Sequence, residues 1–185
     1  MVEQTNNPSA ESSGRETSWL QMVLIGRRPR TTLLRILVLV SVCAVTFKFV
    51  LLPIRVEGIS MEPTYHDRRI DCINRLAFLW HEPQRGDVVG IRFSDPGNLT
   101  TPRAMLMKRI IGLPGETVSF HDGHAYINGE LLDEPYLKFS CDWEHGPFQC
   151  GPDQYYVVGD NRSMPFELHM QGRAERDRIV GKVLL

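Results

Sequence analysis

The chain has 185 residues, of which 42% are hydrophobic and 23% charged, and its formal net charge is −1. This length is enough for one domain with a buried core, and the near-zero charge argues against a nucleic-acid-binding protein, which needs a general basic field. Four cysteines are too few for a disulfide-scaffolded protein of this length.

The N-terminal part of the chain predicts a tail followed by a membrane anchor. Residues 1–31 are mostly small and polar, which is typical of a disordered tail. Within it, the apolar stretch Trp19–Ile25 either lies at a membrane surface or belongs to the loose tail. Leu33–Leu52 is apolar on all faces and, at ~1.5 Å per residue, reaches across a hydrocarbon core of ~30 Å. We therefore predict a single transmembrane helix over residues 32–54, ended by Pro53.

The flanks of this helix predict its type and orientation. A cleavable signal peptide is an alternative, because a basic region precedes the apolar one, but no small-residue cleavage pattern follows. Arg27, Arg28 and Arg30 lie before the helix with no acidic residue among them, so that side is expected to face the cytoplasm. Residues 55–185 would then form an extracytoplasmic domain on a cell (inner) membrane.

Residues 55–185 predict a mainly β fold built as an antiparallel sheet. Asp122-Gly123 and Asn128-Gly129 are favoured two-residue hairpin turns, because both residue pairs tolerate positive φ. The strands are predicted at Val88–Phe93, Met105–Ile111, a meander over 118–132, Tyr155–Val158 and Arg178–Leu184. Between the predicted anchor and these strands, Leu76–Trp80 is a run of apolar residues. It is expected either to pack on the core or to form a patch that dips into lipid.

Two cysteines flank a short loop of this domain. On the outward side of a membrane, Cys141 and Cys150 are expected to form a disulfide; two unpaired thiols are the alternative. A metal site formed by these cysteines with His145 is disfavoured, because it offers only three ligands and no CxxC spacing. No metal ion or cofactor is expected.

One lysine lies in a strand pattern that suits a general base. In the predicted strand Leu106, Lys108 and Ile110 share one face, and burial between aliphatic side chains lowers a lysine pKa toward the range of a base. Such an amine can take the proton of a serine hydroxyl. An exposed lysine is the alternative for this pattern, and Asp160, Ser163 and His169 also leave a Ser-His-Asp arrangement open.

Four short motifs resemble those of the bacterial-type (type I) signal peptidases, in the same order and after one N-terminal anchor. They are Ser60–Thr64 (SMEPT), Arg85–Val89 (RGDVV), Lys108–Glu116 (KRIIGLPGE) and Gly159–Ser163 (GDNRS). The resemblance covers the region from about Val56 to the C-terminus and implies the signal-peptidase type of antiparallel catalytic domain. It implies a membrane serine protease that cuts preproteins after small residues at positions −1 and −3 and has no catalytic histidine.

The resemblance assigns roles to individual residues. It implies Ser60 as nucleophile and oxyanion donor through its backbone N–H, Lys108 as general base, and Met61 and Leu106 as walls of the substrate pocket. Arg109, Asp160, Asn161 and Arg162 are implied as supporting residues. A dedicated processing peptidase with a narrow substrate range, or a decayed anchored binding domain, are the alternative functions.

The chain departs from the family motifs at two sites. Gly58 stands where many relatives have a serine that adds an oxyanion donor. Pro165 stands where many have a serine whose hydroxyl orients the lysine amine, and Glu167 replaces an Asp. We therefore expect either that Ser163 or a backbone group orients Lys108, or that activity is reduced.

Overall fold

The computed structural model describes residues 29–92, 105–139 and 141–184. The predicted tail up to residue 28, including Trp19–Ile25, and the end of the predicted strand at Phe93 lie outside the described residues. The described residues divide into two units, one up to residue 46 and one from residue 47 onward, which are described in turn.

The first unit contains a single described helix. Helix α1 covers Pro29–Val45, and a π-helical turn, Thr46–Val50, continues it into the second unit. Arg30–Val50 has 21 residues and a mean hydropathy of 2.3, and it is the one helix among the described residues that is long and apolar enough to cross a membrane. The helix ends at Val50, earlier than the predicted 54, because Leu51–Arg55 pairs with a neighbouring strand instead.

The second unit is mainly β, as predicted, and its larger sheet is antiparallel throughout. In chain order its strands are β1 (Leu51–Arg55), β2 (Ile70–Asn74), β3 (Val88–Arg92), β4 (Met105–Gly112), β9 (Gln154–Val158), β10 (Gly172–Glu175) and β11 (Ile179–Leu184). Their spatial order is β1-β2-β11-β3-β4-β9-β10. Strand β4 is therefore an inner strand, paired with β3 and β9.

The smaller sheet contains the predicted meander. Its strands are β5 (Thr117–His121), β6 (His124–Ile127), β7 (Glu130–Leu131) and β8 (His145–Gln149), in the order β7-β6-β5-β8. The two hairpin turns lie where predicted, and Asp122 and Asn128 have φ of 48° and 53°. Asp and Asn accept this left-handed conformation more readily than most residues, which explains the position of both turns.

Both faces of β4 are covered by core residues. Ile111 packs in a cluster with Val118 and Phe120 of the smaller sheet and with Tyr156 and Val158 of β9. On the opposite face, Ile110 packs in a cluster with residues of β3, β9, β10 and β11. Burial on both faces fixes the register of β4, because a shift by one residue would exchange its two faces. Two short 3₁₀ helices, Phe166–Leu168 and Arg176–Arg178, precede the last strands.

The predicted disulfide between Cys141 and Cys150 is absent from the structure, and both residues are free thiols. The Cys141 thiol donates a hydrogen bond to the carbonyl oxygen of Gly123 at 3.1 Å. Cys150 is 2% exposed and packs in the core with Val118 and Tyr156. The two thiols thus have separate environments, one at the β5–β6 turn and one inside the core.

Part of the apolar run Leu76–Trp80 packs on the core, and the rest is exposed. Phe78 packs against the core cluster that contains Ile110, and the Arg176 guanidinium lies 5.7 Å from its ring centroid. Leu79 and Trp80 are 61% and 84% exposed. The first part of the run therefore covers the core, and its end is an exposed apolar surface.

Candidate active site

Strand β4 places Lys108 at the margin of the sheet. Lys108 pairs with Val89 of β3 on one side. On the other side β9 ends at Val158, which lies opposite Arg109, so β9 does not extend alongside Lys108. The chain turns away from the sheet at this point, and the loop Gly159–Ser163, hereafter the 159–163 loop, begins beside the lysine.

The Lys108 amine is buried and has two oxygen acceptors. The residue is 2% exposed. Its Nζ donates hydrogen bonds to Ser60 Oγ at 2.9 Å and to the His169 carbonyl oxygen at 2.8 Å. Burial lowers the pKa of the amine from 10.5 to about 8, and the negative charge of Asp160 opposes part of this effect. At pH 7 about one such amine in ten is then neutral, compared with fewer than about one in a thousand at the ordinary pKa.

Ser60 lies in a tight turn. Glu62 N–H donates to the Ile59 carbonyl oxygen at 3.1 Å, and Gly58 has a φ of 96°, which glycine adopts without strain. The Ser60 carbonyl oxygen accepts a hydrogen bond from Asn161 N–H at 3.0 Å. No acceptor among the described residues takes the Ser60 N–H, so this group can donate to an oxyanion beside Oγ.

A buried ion pair joins all four motifs. Asp160 is fully buried, and its two oxygens accept hydrogen bonds from Arg109 Nε at 2.8 Å and Arg109 Nη2 at 2.6 Å. Thr64 of the first motif also donates to Asp160, at 2.5 Å, and Arg109 donates to the Gly86 carbonyl oxygen of the second, at 2.7 Å. The predicted supporting pair thus fixes the turn that carries Ser60 to the strand that carries Lys108.

Asn161 and Arg162 hold the rest of the 159–163 loop. Asn161 Nδ2 donates to the Ile59 carbonyl oxygen at 3.0 Å. Arg162 is 1% exposed, donates to the Gly159 carbonyl oxygen at 3.1 Å, and forms an ion pair with Glu134. Both residues support the backbone that contacts Ser60 and do not reach its hydroxyl.

The structure adds two supporting residues that the sequence does not reveal. Glu134 neutralises the buried Arg162, with an N–O distance of 2.5 Å. The ring of Tyr136 lies against the Arg109 guanidinium, with 3.9 Å between the ring centroid and the guanidinium carbon. Both residues precede β8 in a segment without a motif, and only the three-dimensional contact with the two arginines reveals their function.

Ser163 does not orient the lysine. Its hydroxyl donates to Asn161 Oδ1 at 2.6 Å, while Lys108 is bound by the backbone of His169. Pro165 is the residue before the 3₁₀ helix Phe166–Leu168, and His169 directly follows that helix. A backbone carbonyl therefore takes the place of the hydroxyl that Pro165 lacks.

The structure also excludes the Ser-His-Asp arrangement. The His169 imidazole contacts the backbone of Gly159 and Asn161. Asp160 is bound to Arg109 and Thr64, and Ser163 is bound to Asn161. The three side chains have separate partners, so no proton path connects them.

A cavity of about 390 Å³ opens beside the Ser60–Lys108 pair. The predicted wall residues Met61 and Leu106 both line it. The other aliphatic and methionine side chains around it are Leu52, Ile54, Val56, Met105 and Met107. Among the described residues no His, Cys, Asp and Glu side chains are grouped for a metal ion. The arrangement is suited to nucleophilic attack by a serine on a substrate with apolar side chains.

Replacing Asp160 by Asn is expected to lower the free energy of unfolding by about 3 kcal/mol, because it leaves the buried Arg109 charge without a partner. Arg68→Gln is the control, since Arg68 pairs with Asp67 at 3.5 Å while 80% exposed, and such surface pairs contribute less than about 1 kcal/mol. Denaturant titrations of the full chain in detergent measure both changes. Equal stability of the Asp160→Asn variant and the parent would contradict a structural role for the pair.

Comparisons with known proteins agree with the motifs. The profile of the family described as "Signal peptidase, peptidase S26" matches residues 30–185. The chain is 36% identical over 128 residues to the probable signal peptidase I-2 of Synechocystis, which covers 68% of this chain and 58% of that protein. It is 37% identical over 144 residues to the signal peptidase I T of Bacillus subtilis, covering 72% of each. The chain thus spans less than two thirds of the Synechocystis relative.

The solved structures that match include a crystal structure of a signal peptidase I from Enterococcus faecalis, with 27% sequence identity and a TM-score of 0.41, covering 56% of this chain and 97% of that one.

Proposed function

This chain belongs to the signal peptidase family, peptidase S26, and we propose that it is a membrane-anchored serine endopeptidase that removes N-terminal signal peptides from preproteins. The observation that carries the proposal is the 2.9 Å hydrogen bond between Lys108 Nζ and Ser60 Oγ inside a buried, low-pKa environment. This contact is what a lysine needs to activate a serine. The retained Ser60–Lys108 pair also favours an enzyme over a decayed binding domain.

The first half of the reaction forms an acyl-enzyme. The neutral Lys108 amine removes the proton of Ser60 as Oγ attacks the carbonyl carbon of the scissile peptide bond. The Ser60 N–H donates to the oxyanion that develops. The resulting Lys108 ammonium then protonates the leaving amine, which becomes the N-terminus of the mature chain, and the signal peptide stays attached to Oγ as an ester.

The second half releases the signal peptide. Lys108, neutral again, takes a proton from a water molecule, and the hydroxide formed attacks the ester carbonyl. The ammonium returns the proton to Oγ as the ester bond breaks. Each step uses the same amine and the same oxyanion donor, so both halves depend on the position of Lys108 relative to Ser60.

The cavity and helix α1 agree with a preprotein substrate and a membrane location. An extended preprotein with small residues at −1 and −3 would lie in the cavity beside Met61 and Leu106, next to Ser60. Helix α1 would anchor the enzyme in the bilayer, with the arginines before it on the cytoplasmic side. Residues 55–185 would then meet preproteins on the outer side of the cell membrane.

The rate of cleavage is expected to rise with pH and then level off. Since the pKa of Lys108 is about 8, the neutral fraction grows about tenfold per pH unit below that value and saturates above it. Measuring kcat/KM on a labelled preprotein between about pH 6 and 10 tests this. A flat profile over that range would contradict the lysine base.

The breadth of the substrate range needs a separate experiment. A general signal peptidase should cut several unrelated preproteins that share only an A-x-A site. A dedicated processing peptidase would cut one and leave the others intact. Mass spectrometry of the products from a panel of purified preproteins, with the full chain in detergent, distinguishes the two.

A further inference from the structure

We propose that the imidazole of His169 is the positioning group that sets the distance between Ser60 and Lys108. It acts as a neutral bridge between the 159–163 loop and the backbone that holds Lys108. The inference rests on the proposed function. The His169 side chain itself contacts neither the substrate cavity nor Ser60 Oγ.

The first observation is that His169 contacts the base directly through its backbone. Its carbonyl oxygen is the second acceptor of Lys108 Nζ, at 2.8 Å. The residue is fully buried and lies at the end of the 3₁₀ helix Phe166–Leu168, where its N–H donates to the Phe166 carbonyl oxygen at 3.2 Å. Any rotation of this residue therefore moves the acceptor that orients the lysine.

The second observation is that the ring of the same residue binds the loop that holds the nucleophile. Nε2 lies 2.9 Å from the Asn161 carbonyl oxygen, and the Gly159 N–H points at Nδ1 at 3.4 Å. Asn161 in turn donates from its backbone to Ser60 and from its side chain to Ile59. One residue thus connects the Ser60 backbone to the Lys108 amine.

The His169 imidazole is packed closely between Gly159 and the Trp143 ring. A Cβ at Gly159 would collide with the Ser60 carbonyl oxygen and would lie 2.5 Å from His169 Cε1. The Trp143 ring packs edge-on against the imidazole, with 5.0 Å between centroids. The ring is therefore held from both sides, and no space is left for it to change rotamer without moving the loop.

The two hydrogen bonds require one protonation state. Asn161 offers an acceptor and Gly159 a donor, so Nε2 must carry the proton and Nδ1 must be bare; the imidazolium would direct an N–H at another N–H. The charged groups facing the ring are Lys108 of β4 and Arg162 of the loop, both cations. Burial, followed by the Lys108 charge, lowers the pKa of His169 to about 4, which keeps the ring neutral wherever the enzyme works.

The kinetic test compares two substitutions of the same residue. His169→Phe keeps a planar aromatic ring but removes both hydrogen bonds, so we expect kcat to fall by about 10- to 100-fold, since small misplacements of catalytic groups have effects of this size. KM should stay within about twofold of the parent, because the side chain lies outside the substrate cavity. His169→Gln keeps an N–H donor for Asn161 and should restore kcat to within about fivefold of the parent.

The spectroscopic test needs no substrate. In the full chain labelled with ¹⁵N-histidine, one imidazole should remain the Nε2–H tautomer from about pH 5 to 9, and His169→Gln should remove that signal. A parent kcat in His169→Phe, or a His169 signal that titrates near about pH 6.5, would overturn the proposal. A parent that cuts no preprotein would instead overturn the proposed function, while the nitrogen spectrum would still report on the bridge.

Discussion

Replacing Ser60 by alanine is expected to abolish preprotein cleavage, with kcat/KM lowered by about 10⁴-fold or more. The Ser60 hydroxyl is the oxygen that Lys108 Nζ binds at 2.9 Å, and among the described residues no other hydroxyl contacts that amine. Without Oγ no acyl-enzyme forms. The assay is cleavage of a labelled preprotein by the purified full chain in detergent, followed by gel and mass spectrometry.

The matched control is Ser119→Ala. Ser119 lies in β5 of the smaller sheet, so the same chemical change should leave cleavage near the parent level. The Ser60→Ala variant should also keep the parent's stability, because the turn is held by the carbonyl groups of Ile59 and Ser60 rather than by the hydroxyl. If Ser60→Ala cuts at even a tenth of the parent rate, a different nucleophile must act.

Replacing Lys108 by arginine should be nearly as damaging, with a loss of about 10⁴-fold in kcat, although the positive charge is retained. A guanidinium does not lose its proton in proteins, so it cannot take the proton of Ser60. It is also larger than the ammonium, and the site is buried, at 2% exposure. Lys108→Ala should be equally inactive, because the effect comes from the missing base.

Lys182→Arg is the control for this substitution. Lys182 lies in β11 and pairs with Asp87 at 2.7 Å while remaining partly exposed, and arginine can keep that ion pair. Its cleavage rate should match the parent. Measurable cleavage by Lys108→Arg that rises with pH as in the parent would contradict the assignment, since the titrating group would then be elsewhere.

The Ser60–Lys108 pair could be predicted from the sequence, whereas the group that orients the Lys108 amine could not. Ser60 and Lys108 lie in motifs that resemble those of the signal peptidases, and this resemblance implied the pair, whereas the strand alternation alone left an exposed lysine open. The acceptor that replaces the hydroxyl lost at Pro165 is the His169 carbonyl oxygen. Every residue has such an oxygen, so only the path of the chain after the 3₁₀ helix determines which one meets the amine.

The fold shows a similar division. The strands with apolar runs and the two hairpins with Asp-Gly or Asn-Gly turns were predictable, because their signals are local. Strand β1, which was placed in the helix, and strand β2 were not predicted. Nor were strands β8 and β10: β8 contains Gly146 and Pro147, and β10 contains Gly172, Arg173 and Glu175. Their strand conformation comes from pairing with β5 and β9, which overrides their weak β propensity.

Capture of the covalent intermediate is the most direct test of the mechanism proposed for Ser60 and Lys108. The purified full chain is mixed with a preprotein carrying an A-x-A site, quenched in acid within milliseconds to seconds, digested and analysed by mass spectrometry. We expect the peptide containing Ser60 to gain the mass of the C-terminal fragment of the signal peptide that the digestion leaves, less one water, and the mature product to begin directly after the second Ala. An adduct on another residue, or cleavage at that site by Ser60→Ala at the parent rate, would contradict this mechanism.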